Sequence, residues 1–85
     1  MQIIEIIVDN KKYQIEWALS EHFDKLKSMK FKFNEVAANQ IIKINKLSEI
    51  EKILLSGVAG AVIQHLIDKD CPIDKIFKSG YFIIK

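Results

Sequence analysis

The chain has 85 residues, enough for one domain over 1–85 with a single modest core. Its apolar fraction of 49% excludes a disordered chain, and its net charge of +2 excludes a strong polyanion-attracting field. All thirteen basic residues are lysine, so the bidentate fork that arginine offers to phosphate and guanine is missing.

In chain order, "IIEIIV" (3–8) and "YQIEW" (13–17) flank "DNKK". The second run alternates, with Tyr13, Ile15 and Trp17 on one face. The first run is more fully apolar, as a central strand would be. Asp9 and Asn10 tolerate left-handed backbone, so a β-hairpin is expected. Leu19, Phe23, Leu26 and Met29 then recur at helical spacing, with Ser20 at the N-cap and Glu21 in the first turn. "MKFKF" switches to period two. It reads as a short strand after a helix ending near Ser28, or as that helix running on to Phe33. "NEVAANQ" reads as a loop or single turn, and "IIKI" (41–44) as a strand.

From Leu47 the helical signal is strong, with Ser48 as cap and Glu49 and Glu51 in the first turn. At about 100° per residue, the stripe of Leu47, Ile50, Ile53 and Leu54 points well away from that of Val62, Ile63, Leu66 and Ile67. A straight helix would need apolar surroundings on most sides. Two helices meeting at "SGVAG" would need one core, so a break between Ser56 and Gly60 is expected. Pro72 stops the second helix, and "IDKIF", "KSG" and "YFIIK" suggest a closing strand or hairpin. The expected fold is α+β: an antiparallel or mixed sheet of three to five strands with two or three helices on one face. Trp17, Phe23, Leu26, Ile50, Leu54, Val62 and Leu66 are the expected core.

Catalytic chemistry has no constellation here. His22 and His65 are the only histidines, and neither pairs with Cys71 or an acid at a zinc-site spacing. The lone cysteine excludes an internal disulfide and suits a reducing compartment. The N-terminus lacks a signal-peptide pattern, and the uncharged stretch Ile53–Ile67 is short for a bilayer. The expectation is a cytoplasmic, non-catalytic protein without cofactor, metal or membrane. "KLKSMKFKF" (25–33) interleaves lysines with apolar residues, a pattern that suits an amphipathic core element and also a phosphate-tracking or lipid-surface segment.

The order "IIKIN", "KLSEIEKILLS", Gly57-Val58-Ala59-Gly60, "AVIQHLIDKD" and the closing segment resembles the βααβ core of the KH domain over residues 41–85. Ile63 and Leu66 after Gly60 are similar to that family's Gly-x-x-Gly-x-x-Ile-x-x-Ile signature. The resemblance implies a glycine loop clamping the backbone of RNA or single-stranded DNA, with Lys46 and Lys52 supplying the charge. The chain departs from the family at Val58 and Ala59, where a basic residue is usual, and at Ser56, where isoleucine is usual. The competing reading is close packing. Ser56, Gly57, Gly60 and Ala61 form a small-residue surface for an element of this chain, a protein partner or a second copy in a homodimer. The leading expectation is a protein-binding module of the regulator, inhibitor or immunity type. A KH-like nucleic-acid binder is the alternative. In either, Lys46, Lys52, Gly57, Val58, Ala59 and Gly60 are the expected contacts.

Overall fold

The computed structural model describes residues 2–36 and 47–85. Strands β1 (Gln2–Val8) and β2 (Lys11–Trp17) form the expected hairpin, with Val8 opposite Lys11 and Ile4 opposite Ile15. Asp9 and Asn10 take φ of 52° and 67°. This doubly left-handed, two-residue turn matches the right-handed twist of the strands it joins.

The next segment is a 3₁₀ helix, Glu21–Leu26, shorter than the amphipathic helix expected. With three residues per turn, Phe23 and Leu26 stack on one face, and both are buried. Met29 falls beyond it and is exposed. Ser20 stands at the N-cap without a side-chain cap bond. Ser28, at φ 68°, turns the chain into β3 (Lys30–Lys32), the short strand that "MKFKF" foreshadowed. The expected strand at 41–44, and Lys46, lie outside the described residues.

Helix α1 runs unbroken from Glu49 to Asp68. The expected break at 56–60 is therefore corrected. Glycine is a poor helix former, but its deficit of about 1 kcal/mol is small beside the packing of a twenty-residue helix. The N-terminus is a capping box: Glu51 N–H donates to Ser48 Oγ at 3.3 Å, and Ser48 N–H donates to Glu51 Oε1 at 3.1 Å. The C-terminus is a Schellman motif. Asp70 is left-handed at φ 61°, Cys71 N–H donates to the Leu66 carbonyl at 2.9 Å, and Asp70 N–H to that of Ile67 at 3.0 Å.

Pro72 then opens α2 (Ile73–Ser79), where a hairpin arm was expected. Ile76 is its one buried residue. Gly80 joins α2 to β4 (Tyr81–Ile84). A Cβ at Gly80 would overlap the Ile76 carbonyl and approach the Phe33 ring to 2.9 Å, so glycine is required there by close approach.

The sheet order is β2-β1-β4-β3, every pair antiparallel, so the last strand inserts beside the first. Its inner face carries Ile4, Ile6, Val8, Phe31, Phe82 and Ile84, all buried. Phe82 lies at ring-centroid distances of 5.4 Å from Phe31 and 5.2 Å from Phe33. Leu55, Val58, Ala59, Val62 and Leu66 of α1 complete this core. The α+β class, with one four-stranded sheet and three helices among the described residues, is as expected.

Of the expected core, Phe23, Leu26, Val62 and Leu66 are buried, while Trp17 and Leu54 pack against its edge. Ile50 is the miss, at 57% exposed. The sheet accepts a single face of α1, and the Leu55–Leu66 ridge occupies it, which turns Ile50 outward.

Candidate interaction surface

The outward side of α1 is apolar. Ile50, Ile53, Gly57, Gly60, Gln64 and Ile67 follow one another at spacings of three and four residues, and all six are exposed. At about 100° per residue they fall within an arc of roughly 100°, centred opposite the buried ridge. Ile53 is 70% and Ile67 41% exposed, beside Ile50. The segment from Ile53 to Ile67 contains no acid or lysine. The rotated stripes seen in the sequence are thus each divided between the two faces of one helix: Ile50 and Ile53 of the first and Ile67 of the second lie outside, while Leu47 and Leu54 of the first pack against the core that buries Val62 and Leu66 of the second.

Two shallow apolar grooves flank this seam. One, of about 420 Å³, lies between Gly57 and Ala61 on the helix and Trp17, Leu19 and Phe23 beside it. The other, of about 260 Å³, lies between Gly60 and Ile63 and the rings of Phe33 and Phe77. At Gly57 and Gly60 an added Cβ would meet no heavy atom within 4 Å beyond the helix's own backbone. Neither glycine has positive φ. Nothing in the described fold therefore requires glycine at either position.

The expected contact residues separate accordingly. Gly57 and Gly60 are exposed on the seam, whereas Val58 and Ala59 are buried in the core and cannot reach a partner. Lys52 is partly buried, its Nζ 3.5 Å from Glu49 Oε1. Because 57–60 is helical, the segment does not form the loop that the KH resemblance implies. Ile50, Ile53 and Ile67 were not named as contacts, although their seam spacing is legible once the helix is taken as continuous.

The root of α1 holds the one buried charge among the described residues, Glu51, at 3% exposed. Its Oε1 lies 2.7 Å from Lys25 Nζ, which reaches over from the 3₁₀ helix. The hydrogen bonds from Lys25 and from Ser48 hold its carboxyl down at about 2, from an ordinary 4.5. This is a structural latch between two helices.

On the other side of the molecule, the outer sheet face carries Ile3, Ile7, Tyr81 and Ile83 among Lys12, Lys30 and Lys32. Lys30 Nζ stands 3.8 Å from the Tyr81 ring centroid. Lys85 Nζ lies 2.8 Å from Glu5 Oε2, and that bond lowers the Glu5 pKa. His22 and His65 lie on separate helices, with Cys71 buried beyond the end of α1. Among the described residues no group of three His, Cys, Asp or Glu could hold a metal ion.

Helix α1 also has the length and mean hydropathy, 1.4, of a helix able to cross a membrane, with 33% of that window buried in the protein. No family model, no curated protein and no solved structure matches the chain.

Proposed function

We propose that this chain is a non-catalytic, cytoplasmic protein-interaction module that works by burying the outer seam of α1 against another polypeptide surface. The observation that carries this reading is an uncharged apolar stripe of exposed isoleucines on a helix whose other face already closes the core. Exposed apolar surface of that continuity is what protein contacts use. Acting by occupation rather than chemistry suits a small regulator or inhibitor.

A second reading, single-stranded RNA or DNA, is supported by the outer sheet face, where Tyr81 stands among Lys12, Lys30 and Lys32. Without arginine, binding there would be weakly selective. Its affinity would fall with salt by about 0.7 in logarithmic slope per phosphate neutralised.

The two readings are separated by placing a photoreactive side chain at Ile53 or, as control, at Gln14 on the outer sheet face. The expected result is labelling of one discrete polypeptide site from Ile53, undiminished at high salt and removed by a competing Gly60→Leu background. Labelling of nucleic acid from Gln14, lost at high salt, with none of polypeptide from Ile53, would overturn the protein reading.

A further inference from the structure

We propose that the outer edge of β2 pairs with the same edge of a second copy of this chain, antiparallel about a two-fold axis through Gln14. Lys12 of each copy then lies opposite Glu16 of the other, and the two sheets join into one. The inference goes beyond the α1 seam and stands independently of it.

Hydrogen bonding leaves that edge open. Ile3 exchanges both backbone bonds with Lys85, at 3.3 and 2.8 Å, so its N–H and carbonyl turn to the β4 side of β1. Backbone groups alternate sides along an antiparallel strand. Those of Ile4, Ile6 and Val8 therefore turn toward β2, where they meet Ile15, Tyr13 and Lys11. On β2 the intervening residues, Lys12, Gln14 and Glu16, aim N–H and carbonyl away from the hairpin. β2 ends the sheet, and among the described residues these groups have no backbone partner. An edge of unpaired donors and acceptors is a template for another strand.

Charge selects both the occupant and the register. Lys12, Gln14 and Glu16 are exposed on the outer face, and among the described residues neither Lys12 nor Glu16 has an ion-pair partner. An axis at Gln14 sets Lys12 against Glu16 on both sides of the centre, with each facing pair exchanging both backbone bonds. An axis at Lys12 or at Glu16 would put like charges face to face. An axis at Tyr13 or Ile15 would give each charge a neutral neighbour. Edge lysines ordinarily keep edge strands apart. Here Lys12 opposes its own kind and is matched in the one register that brings it Glu16. On the inner side that register places Tyr13 beside Ile15, and Lys11 beside Trp17, of the other copy. Tyr13, Ile15 and Trp17 are only partly buried in the single copy, so the join adds apolar cover and a cation near the indole. One strand from each copy makes a small contact, so the dimer is expected to dissociate on dilution.

The test is sedimentation equilibrium of the full chain over a dilution series, with an expected mass of about twice 9.8 kDa at high concentration. Lys12→Glu alone, or Glu16→Lys alone, should weaken self-association by more than about tenfold, because each sets like charges opposite one another. Mixing the two variants should restore it, since each supplies the charge that the other lacks. Gln14→Pro removes an N–H that the single copy leaves unpaired. It should keep a native far-UV circular dichroism spectrum and abolish the pairing. Hydrogen exchange at the amides of Lys12, Gln14 and Glu16 should slow as concentration rises.

A single-copy mass at every concentration overturns the inference, as does self-association that the mixture of charge variants fails to restore. A dimer dispersed by Gly57→Leu with Gly60→Leu but not by Lys12→Glu overturns it and moves the contact to α1. Slow exchange of the three amides at every dilution also overturns it, because another segment of the same chain then covers the edge. None of these outcomes bears on the α1 reading, which the Ile53 probe decides.

Discussion

Three glycines at the residue scale occupy two opposite situations. Gly80 is held against the Ile76 carbonyl and the Phe33 ring, so Gly80→Ala forces backbone or ring to move. Overpacking of this kind should destabilise the chain by about 1–3 kcal/mol. At Gly57 and Gly60 the space is open and the backbone helical, so alanine at either should stabilise the single copy by about 0.4–1 kcal/mol. Urea unfolding of the three variants in dilute solution checks the contrast in sign. Glu51 gives a second residue-scale prediction. Its folded pKa of about 2 lies below its ordinary 4.5, so the carboxylate is favoured in the fold. Its contribution is complete above pH 4.5 and lost as the pH falls toward 2. Lys25→Met should flatten that part of the stability–pH curve; an unchanged acid limb would show that the latch contributes nothing.

Helices and strands differ in how openly the sequence declared them. The hairpin was legible because Asp9 and Asn10 have the backbone tolerance that a two-residue turn demands and Tyr13, Ile15 and Trp17 alternate. The caps of α1 were legible for the same local reason: Ser48 with Glu51 at one end and Pro72 beyond the other. The course of α1 between them was not. An apolar residue reports that it wants cover, not which body supplies it, so the two stripes were resolved by breaking the helix, whereas the protein keeps it whole and leaves Ile50 and Ile53 of one stripe and Ile67 of the other outside. The same ambiguity sent Ile50 to the core and Val58 and Ala59 to the contact surface. Segment 73–79 was misread because so short a run shows helical and strand periods almost equally. The division of α1 is testable by truncation. Leu55→Ala or Leu66→Ala should cost about 2–5 kcal/mol, as fully buried leucines do. Ile50→Ala should change single-copy stability by less than about 0.5 kcal/mol.

The molecule is a thin layer, 18 Å across its shortest principal axis, and its described residues form one sheet, one long helix and a core between them. Among the described residues its two outer faces, that of the sheet and the seam of α1, are left uncovered. On the sheet side, lysines and Glu5 dilute the isoleucines into an ordinary solvated surface. On the helix side α1 itself carries no acid or lysine between Ile53 and Ile67. If two copies share α1, unfolding releases both, and the midpoint must rise with protein concentration. For about 0.7 kcal/mol of unfolding enthalpy per residue in each copy, the rise is roughly 4 °C per tenfold concentration. Scanning calorimetry of the wild type across two decades of concentration measures that slope directly. A slope that arises at the α1 seam is abolished by Gly57→Leu with Gly60→Leu, leaving a concentration-independent midpoint no lower than the dilute wild-type value, because leucine is the better helix former. A flat wild-type midpoint across concentrations where the mass is doubled would mean that the copies meet through another surface and that α1 does not couple their folding.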